Sequence, residues 1–155
     1  MSALATDRAG HNRRWTGLLV AGLAAAGLLI SLYLTVVKLS GGVPLCGPLV
    51  GCDTVNTSVY SEFMGVPVAI FGALGSAGVL LGALVWWRSG RRAGLLAAYL
   101  IGLASLPVLA YLTYLEIFVI GAICAWCVAY AVTVVAAWLV KIVMLRPSRG
   151  RSQAA

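Results

Sequence analysis

Charge is what this sequence has least of. Of 155 residues, four are Asp or Glu and eleven are Lys or Arg, 10% in all, against 62% hydrophobic residues and a mean hydropathy of +1.01. A water-soluble domain of this size cannot bury that much apolar side chain, which excludes an ordinary globular fold. Histidine occurs once, as His11 in the polar N-terminal segment, and reads as a solvated side chain rather than a metal ligand. No convincing small-x-small cleavage site follows the first apolar run. That run is also longer than the roughly 7–15 residues of a signal-peptide core, so it reads as a retained helix, and Arg13-Arg14 alone is weak evidence for a twin-arginine export signal.

What is present in quantity is long apolar runs. A membrane span needs about 20 such residues, and four stretches qualify: 15–37, 65–87, 93–115 and 122–145. They predict an all-α integral membrane protein, a single domain over 1–155 forming a four-transmembrane-helix bundle. The one long polar segment, 40–64, is an outer loop between the first two spans. Within it Val55, Val59 and Phe63 recur at helical spacing, predicting a short amphipathic helix, capped by Asp53, that lies over the bundle and covers the site. The segment before Arg13 and the tail from Pro147 read as short polar ends.

The few charges set an orientation. Arg8, Arg13 and Arg14 precede the first span, Arg88, Arg91 and Arg92 sit between the second and third, and Lys141, Arg146, Arg149 and Arg151 end the chain. Four spans place these groups on one side, which the positive-inside rule makes cytoplasmic; only Lys38 falls opposite. The expected location is the plasma (inner) membrane, with both termini cytoplasmic. The net charge of +7 is then a matter of topology and lipid contact, with no nucleic acid as partner. The spans hold no acid or base before Val140, which argues against a small transporter. Gly72, Gly75, Gly78 and Gly82 form a small-residue stripe for close helix contact, and Pro107 is expected to kink or loosen the third span. Glu116, at the outer end of that span, reads as an interfacial charge, with a proton relay as its second reading.

The chemistry lies in four cysteines, all on the outer face. Cys46 and Cys52 sit in the loop with Gly47, Pro48 and Gly51 between them, flexible enough to close and reopen a small disulfide ring. Cys124-Ala-Trp-Cys127 opens the fourth span, where the helix dipole favours a thiolate on Cys124 and Cys127 lies one turn deeper. Depth suits Cys127 to a lipid-soluble quinone and Cys124 to exchange with the loop. Two structural disulfides, a four-thiol metal site and inert cysteines are the blander readings.

The loop pair Cys46 and Cys52, then Ser58-Val-Tyr60-Ser61-Glu-Phe-Met-Gly65-Val-Pro67, then Cys124-Ala-Trp-Cys127, resembles the vitamin K epoxide reductase family from the first helix through the fourth. The DsbB-type quinone oxidoreductases carry their cysteine pairs in the reverse order. The resemblance implies a membrane thiol-disulfide oxidoreductase supporting disulfide bond formation. Cys124 and Cys127 would be the pair facing a quinone of the menaquinone, ubiquinone or vitamin K type. Cys46 and Cys52 would be a shuttle pair taking electrons from a separate thioredoxin-fold (DsbA-like) partner. It also implies a quinone-binding role for Ser61, otherwise an ordinary helix cap, and for Tyr130. The alternatives are a vitamin K epoxide or quinone reductase on the same scaffold and, from another class, a small transporter or metal-binding protein.

Overall fold

The computed structural model describes residues 2–46 and 51–145, with side chains from Trp15 onward. Gly47 and Pro48, the basic residues Arg146, Arg149 and Arg151 and the tail 147–155 lie outside the described residues, as do the side chains of Asp7, Arg8, His11, Arg13 and Arg14.

Apolar runs without internal breakers become helices because the bilayer leaves every backbone group to be satisfied within its own segment. Four result: α1 (Ser2–Leu39), α3 (Val68–Ser89), α4 (Arg92–Tyr114) and α5 (Ala125–Leu145). A short α2 (Cys52–Thr57) lies between α1 and α3. The candidate spans are Trp15–Leu39, Val68–Ser89, Arg92–Ile120 and Ala125–Leu145. The main pairings, α1 with α3, α3 with α4, α4 with α5 and α5 with α1, close a four-helix ring. Exposed Leu18, Leu74, Leu100 and Val132 give its outside an apolar surface suited to lipid.

Glycine sets how closely the helices approach. Gly82 and Gly94 face each other across α3 and α4, and a Cβ on Gly82 would lie 2.6 Å from the Gly94 carbonyl oxygen. Beyond them Val20, Ala24, Val79, Ala83 and Ala98 form the small core. The glycine stripe serves two partners: Gly78 and Gly82 meet α4, whereas Gly72 meets Ser31 of α1 and Tyr130 of α5. Helix α4 runs through Pro107 to Tyr114.

Several expectations need correction. The N-terminal polar segment is helical from Ser2, since extending a formed helix through Ala3, Ala5 and Ala9 costs little. The amphipathic helix of the loop stops at Thr57. Thr57 Oγ1 and Ser58 Oγ donate back to the Asp53 and Val55 carbonyls, and Ser58 is extended (φ −64°, ψ 153°). The chain then makes a 3-10 turn (Val59–Ser61) and a hairpin pairing β1 (Glu62–Phe63) with β2 (Val66–Pro67). Its turn residues Met64 and Gly65 take φ of +54° and +79°. Val59 is therefore exposed, and Phe63, though largely exposed, meets the bundle through an edge contact with Phe71 of α3, ring centroids 6.3 Å apart. Gly51, not Asp53, is the α2 N-cap.

The third span does not end at Leu115. A π-helical turn (Leu115–Ile120) extends it to Gly121, which closes the helix with φ +68°, and this brings Glu116 inside the span, buried. Lys38 likewise lies within the first span, so the spans are not free of charge before Val140. Lys141 is no flanking charge: it is 1% exposed, its Nζ donating to the Ala98 carbonyl at 2.7 Å beside Gly102.

Candidate functional site

Two anchors seat the loop disulfide on the start of α5. On one side of it, the Leu45 N–H donates to Tyr33 Oη of α1 (3.0 Å), and the Leu45 carbonyl accepts from Trp126 Nε1 (2.8 Å). The Tyr33 and Trp126 rings pack 5.0 Å apart. On the other side, Gly51 lies so close to Ile123 that an added Cβ would sit 2.5 Å from the Ile123 carbonyl oxygen. Ile123 precedes Cys124, and Trp126 stands inside Cys124-Ala-Trp-Cys127. The residues beside Cys46 and Cys52 thus rest on the C-x-x-C turn itself.

Cys46 and Cys52 are joined as a disulfide with Cα atoms 6.0 Å apart, while Cys124 and Cys127 are free thiols. Cys52 and Cys124 are fully buried, whereas Cys46 and Cys127 are partly exposed. The structure therefore brings all four cysteines to one end of the bundle.

Cys124 occupies the N-terminal boundary of α5: its carbonyl accepts the Val128 N–H at 3.0 Å. Its Sγ accepts the Cys127 N–H at 3.4 Å, inside the positive end of the helix dipole. A hydrogen bond from the Cys127 side chain favours the Cys124 thiolate, and with the backbone donors it outweighs burial and holds this thiol below its ordinary range.

Glu116 reaches the same pair. Its backbone is fixed by the end of the π turn, where the Ala122 N–H donates to the Glu116 carbonyl at 3.1 Å. Its Oε2 accepts the Cys124 N–H at 3.4 Å, and its carboxylate is hydrogen-bonded to the Cys127 side chain.

Beneath the lid lies a cavity of about 390 Å³, a size typical of small-molecule sites. Its polar wall includes Cys124, Cys127, Glu116, Ser61, Lys38 and Tyr130, and its apolar wall includes Leu34, Phe71, Val108 and Leu112. Ser61 is not a helix cap. It sits in the 3-10 turn, its Oγ accepting from Lys38 Nζ at 2.7 Å and donating to the Ser58 carbonyl at 2.8 Å. Tyr130 Oη donates to the Gly72 carbonyl at 3.1 Å, with Ser76 Oγ 3.5 Å away.

Lys38 is a participant that sequence reasoning left as a lone outer cation. Its Nζ also donates to the Asn56 carbonyl (2.6 Å) and pairs with Glu62 (3.3 Å), tying α1 to the lid. Trp126 and Gly51 were missed as anchors too, although each adjoins a cysteine in the sequence.

Comparison with known protein families adds one finding: a family model described as the vitamin K epoxide reductase family matches residues 18–142. The match runs from α1 to near the end of α5, taking in all four cysteines, Glu116 and the cavity wall. The chain therefore belongs to the vitamin K epoxide reductase family and is a helical, multi-pass membrane oxidoreductase.

Proposed function

We propose that the protein is a thiol-disulfide oxidoreductase that passes electrons from a thioredoxin-fold partner through Cys46 and Cys52 to Cys124 and Cys127, and from there to a quinone, in support of disulfide bond formation. The observation that carries this reading is the seating of the loop disulfide on the C-x-x-C turn, above an apolar cavity with Cys124 and Cys127 in its wall.

The order of exchange follows from access. Cys46 is the more exposed of its pair, so the partner's thiolate attacks Cys46 Sγ and releases Cys52 as a thiolate. A second partner thiol then frees Cys46. Cys52, fully buried and next to Gly51 with its contact on Ile123, is the loop sulfur turned inward, and it attacks Cys124 Sγ of an oxidised inner pair. The Cys52–Cys124 bond forms, the Cys124–Cys127 bond breaks, and Cys127 leaves as a thiolate. Cys46 then attacks Cys52, restoring the loop disulfide and releasing Cys124. Two electrons have then moved inward, from the loop pair to the inner pair.

The cavity residues fit a quinone. Leu34, Phe71 and Val108 offer an apolar bed, and Ser61, Lys38 and Tyr130 put two hydroxyls and an ammonium in the wall, which reach ring oxygens by turning from their present partners. A bound quinone accepts two electrons and two protons and leaves as the hydroquinone. The chain's own part is to keep water from the thiols, to hold the donors in place and to present Cys127 Sγ to the cavity.

Sidedness belongs to the same proposal. Arg88, Arg91 and Arg92 lie at the end of the bundle opposite the cysteines, and the positive-inside rule supports reading that end as cytoplasmic and the cysteines as facing out from the plasma membrane.

Single Cys→Ser variants test the relay order. Cys52→Ser keeps Cys46 and accumulates a mixed disulfide with the partner, which mass spectrometry of the captured species identifies. Crosslinking by Cys46→Ser alone reverses the order, and crosslinking by neither refutes the relay.

A further inference from the structure

Among the described residues Glu116 has no ion-pair partner. The one ion pair among the described residues joins Lys38 to Glu62, and Glu116 is buried with the Cys124 N–H and the Cys127 side chain as its partners. A carboxylate withdrawn from water needs either a positive charge or a proton to share. Here the proton within reach belongs to a thiol. The Cys127 thiol lies between the Cys124 sulfur and the Glu116 carboxylate, with one S–H to share between them, so the three groups keep at least one proton among them rather than all being anionic.

The fold holds this arrangement deliberately fixed. Helix α4 widens into a π turn only at Leu115–Ile120, a distortion that often marks functional sites. The turn sets Glu116 in the cavity wall with both cysteines.

We propose that Glu116 is a catalytic proton acceptor of the inner dithiol: it holds the Cys127 thiol by hydrogen bonding while Cys124 is the thiolate, and it takes the Cys127 proton as that sulfur reacts. The step moves one proton from Cys127 Sγ to the Glu116 carboxylate and makes or breaks no other bond. With Cys124 already a thiolate, oxidation of the pair to the Cys124–Cys127 disulfide releases two electrons and this one proton; the acceptor is the quinone of the proposed function, on which this inference rests for the fate of the electrons, and its second proton comes from solvent.

The groups around Glu116 that titrate or carry charge are few. Cys124, Cys127 and Tyr130 come from α5 and its start, and Lys38 comes from α1, held by the lid. Helix α2, packed on the π turn, adds the disulfide-bonded Cys52 and the exposed Asp53. Helix α3 has no ionisable residue between Val68 and Trp87. A pH response of Cys127 that changes with residue 116 is therefore assigned to this carboxylate.

The test uses full-length protein in detergent with the loop disulfide intact, comparing wild type, Glu116→Gln and Glu116→Asp. The first readout needs no quinone: N-ethylmaleimide labelling of Cys127 across pH, read by peptide mass spectrometry. Removing the carboxylate's charge and hydrogen bond shifts the pH dependence of Cys127 labelling in Glu116→Gln, whereas Glu116→Asp stays nearer wild type. The second readout is single-turnover oxidation of the dithiol by a soluble naphthoquinone. Glu116→Gln loses about 100-fold, within the range of general-base catalysis, and its rate rises with pH where wild type is flat; Glu116→Asp keeps the flat profile at a lower rate. An unchanged labelling midpoint in Glu116→Gln, or a wild-type oxidation rate and pH profile, overturns the assignment. Failure of wild type to reduce the naphthoquinone would instead overturn the proposed function, while the labelling shift still reports on Glu116.

Discussion

Replacing Gly51 with Ala adds a single methyl at the contact on which electron transfer from the loop depends. Gly51 has φ −103°, which alanine adopts without strain, so the effect is purely steric. The new Cβ would lie 2.5 Å from the Ile123 carbonyl oxygen and 2.7 Å from its nitrogen, whereas ordinary contact starts at 3.4 Å. The loop must therefore give way by about 0.9 Å (3.4 less 2.5) at the residue next to Cys52. Neither neighbour is a flexible side chain tip, since both clashing atoms are backbone. Overpacking of this kind costs about 1–3 kcal/mol where it cannot relax, and a misplacement near 1 Å can slow a positioned reaction about 100-fold. The assay starts from protein with both pairs oxidised and adds one equivalent of a dithiol. Acid quench, alkylation and mass spectrometry then follow the arrival of electrons at Cys124 and Cys127. Gly51→Ala should slow that arrival by 10- to 100-fold while the loop disulfide is still reduced readily. Gly22→Ala, whose Cβ meets nothing within 4 Å, serves as control. Wild-type transfer in a folded Gly51→Ala protein would refute the seating of the loop as the route.

Three further outcomes follow from the same geometry. Lys38→Met removes the bonds to the Asn56 carbonyl and Ser61 Oγ, each about 1.5–3 kcal/mol for a charged donor, and should expose the lid to faster chymotrypsin cleavage after Tyr60 or Phe63. Glu62→Gln should do little, because Glu62 is 45% exposed and such a pair contributes about 1 kcal/mol or less. Ser61→Ala and Tyr130→Phe should each raise KM for quinone several-fold with little change in thiol exchange between the pairs; unchanged KM in both would remove them from the binding site. Because hydrogen bonding favours the Cys124 thiolate, its alkylation by iodoacetamide should reach half-maximal rate below the pH of about 8.5 expected of a free thiol. That reactivity persists as pH falls from alkaline and is lost only on passing the lowered value, and a midpoint at or above 8.5 would contradict it.

The sequence carried the architecture because membrane spans are written in composition. Each of the four apolar runs became a helix, with ends shifted where a local residue intervened: Pro67 delays α3, and the π turn carries α4 on to Gly121. The cysteine spacing and the family resemblance were legible for the same reason, since both are properties of order along the chain. The loop was read less well. Val55, Val59 and Phe63 have helical spacing, yet the side chains of Thr57 and Ser58 satisfy nearby carbonyls and Met64-Gly65 makes a hairpin turn. Periodicity alone does not weigh such competing bonds.

The charges were the hardest to place. Lys38, Glu116 and Lys141 each stand near a span end, where a flanking position is the simplest reading. The actual placement of each depends on contacts distant in sequence: the lid for the half-buried Lys38, the C-x-x-C turn for buried Glu116 and the Ala98 carbonyl with Gly102 for buried Lys141. Those contacts exist only once the ring of helices has closed.

Direct stoichiometry of the reduced protein with quinone tests the central claim most sharply. Protein with the loop disulfide intact and the inner pair reduced is titrated anaerobically with a short-chain quinone, and each addition is followed by mass spectrometry and by absorbance of the hydroquinone. One hydroquinone per chain, formed together with a Cys124–Cys127 disulfide, is the predicted result. Quinone that stays oxidised while both inner thiols remain free would contradict the account.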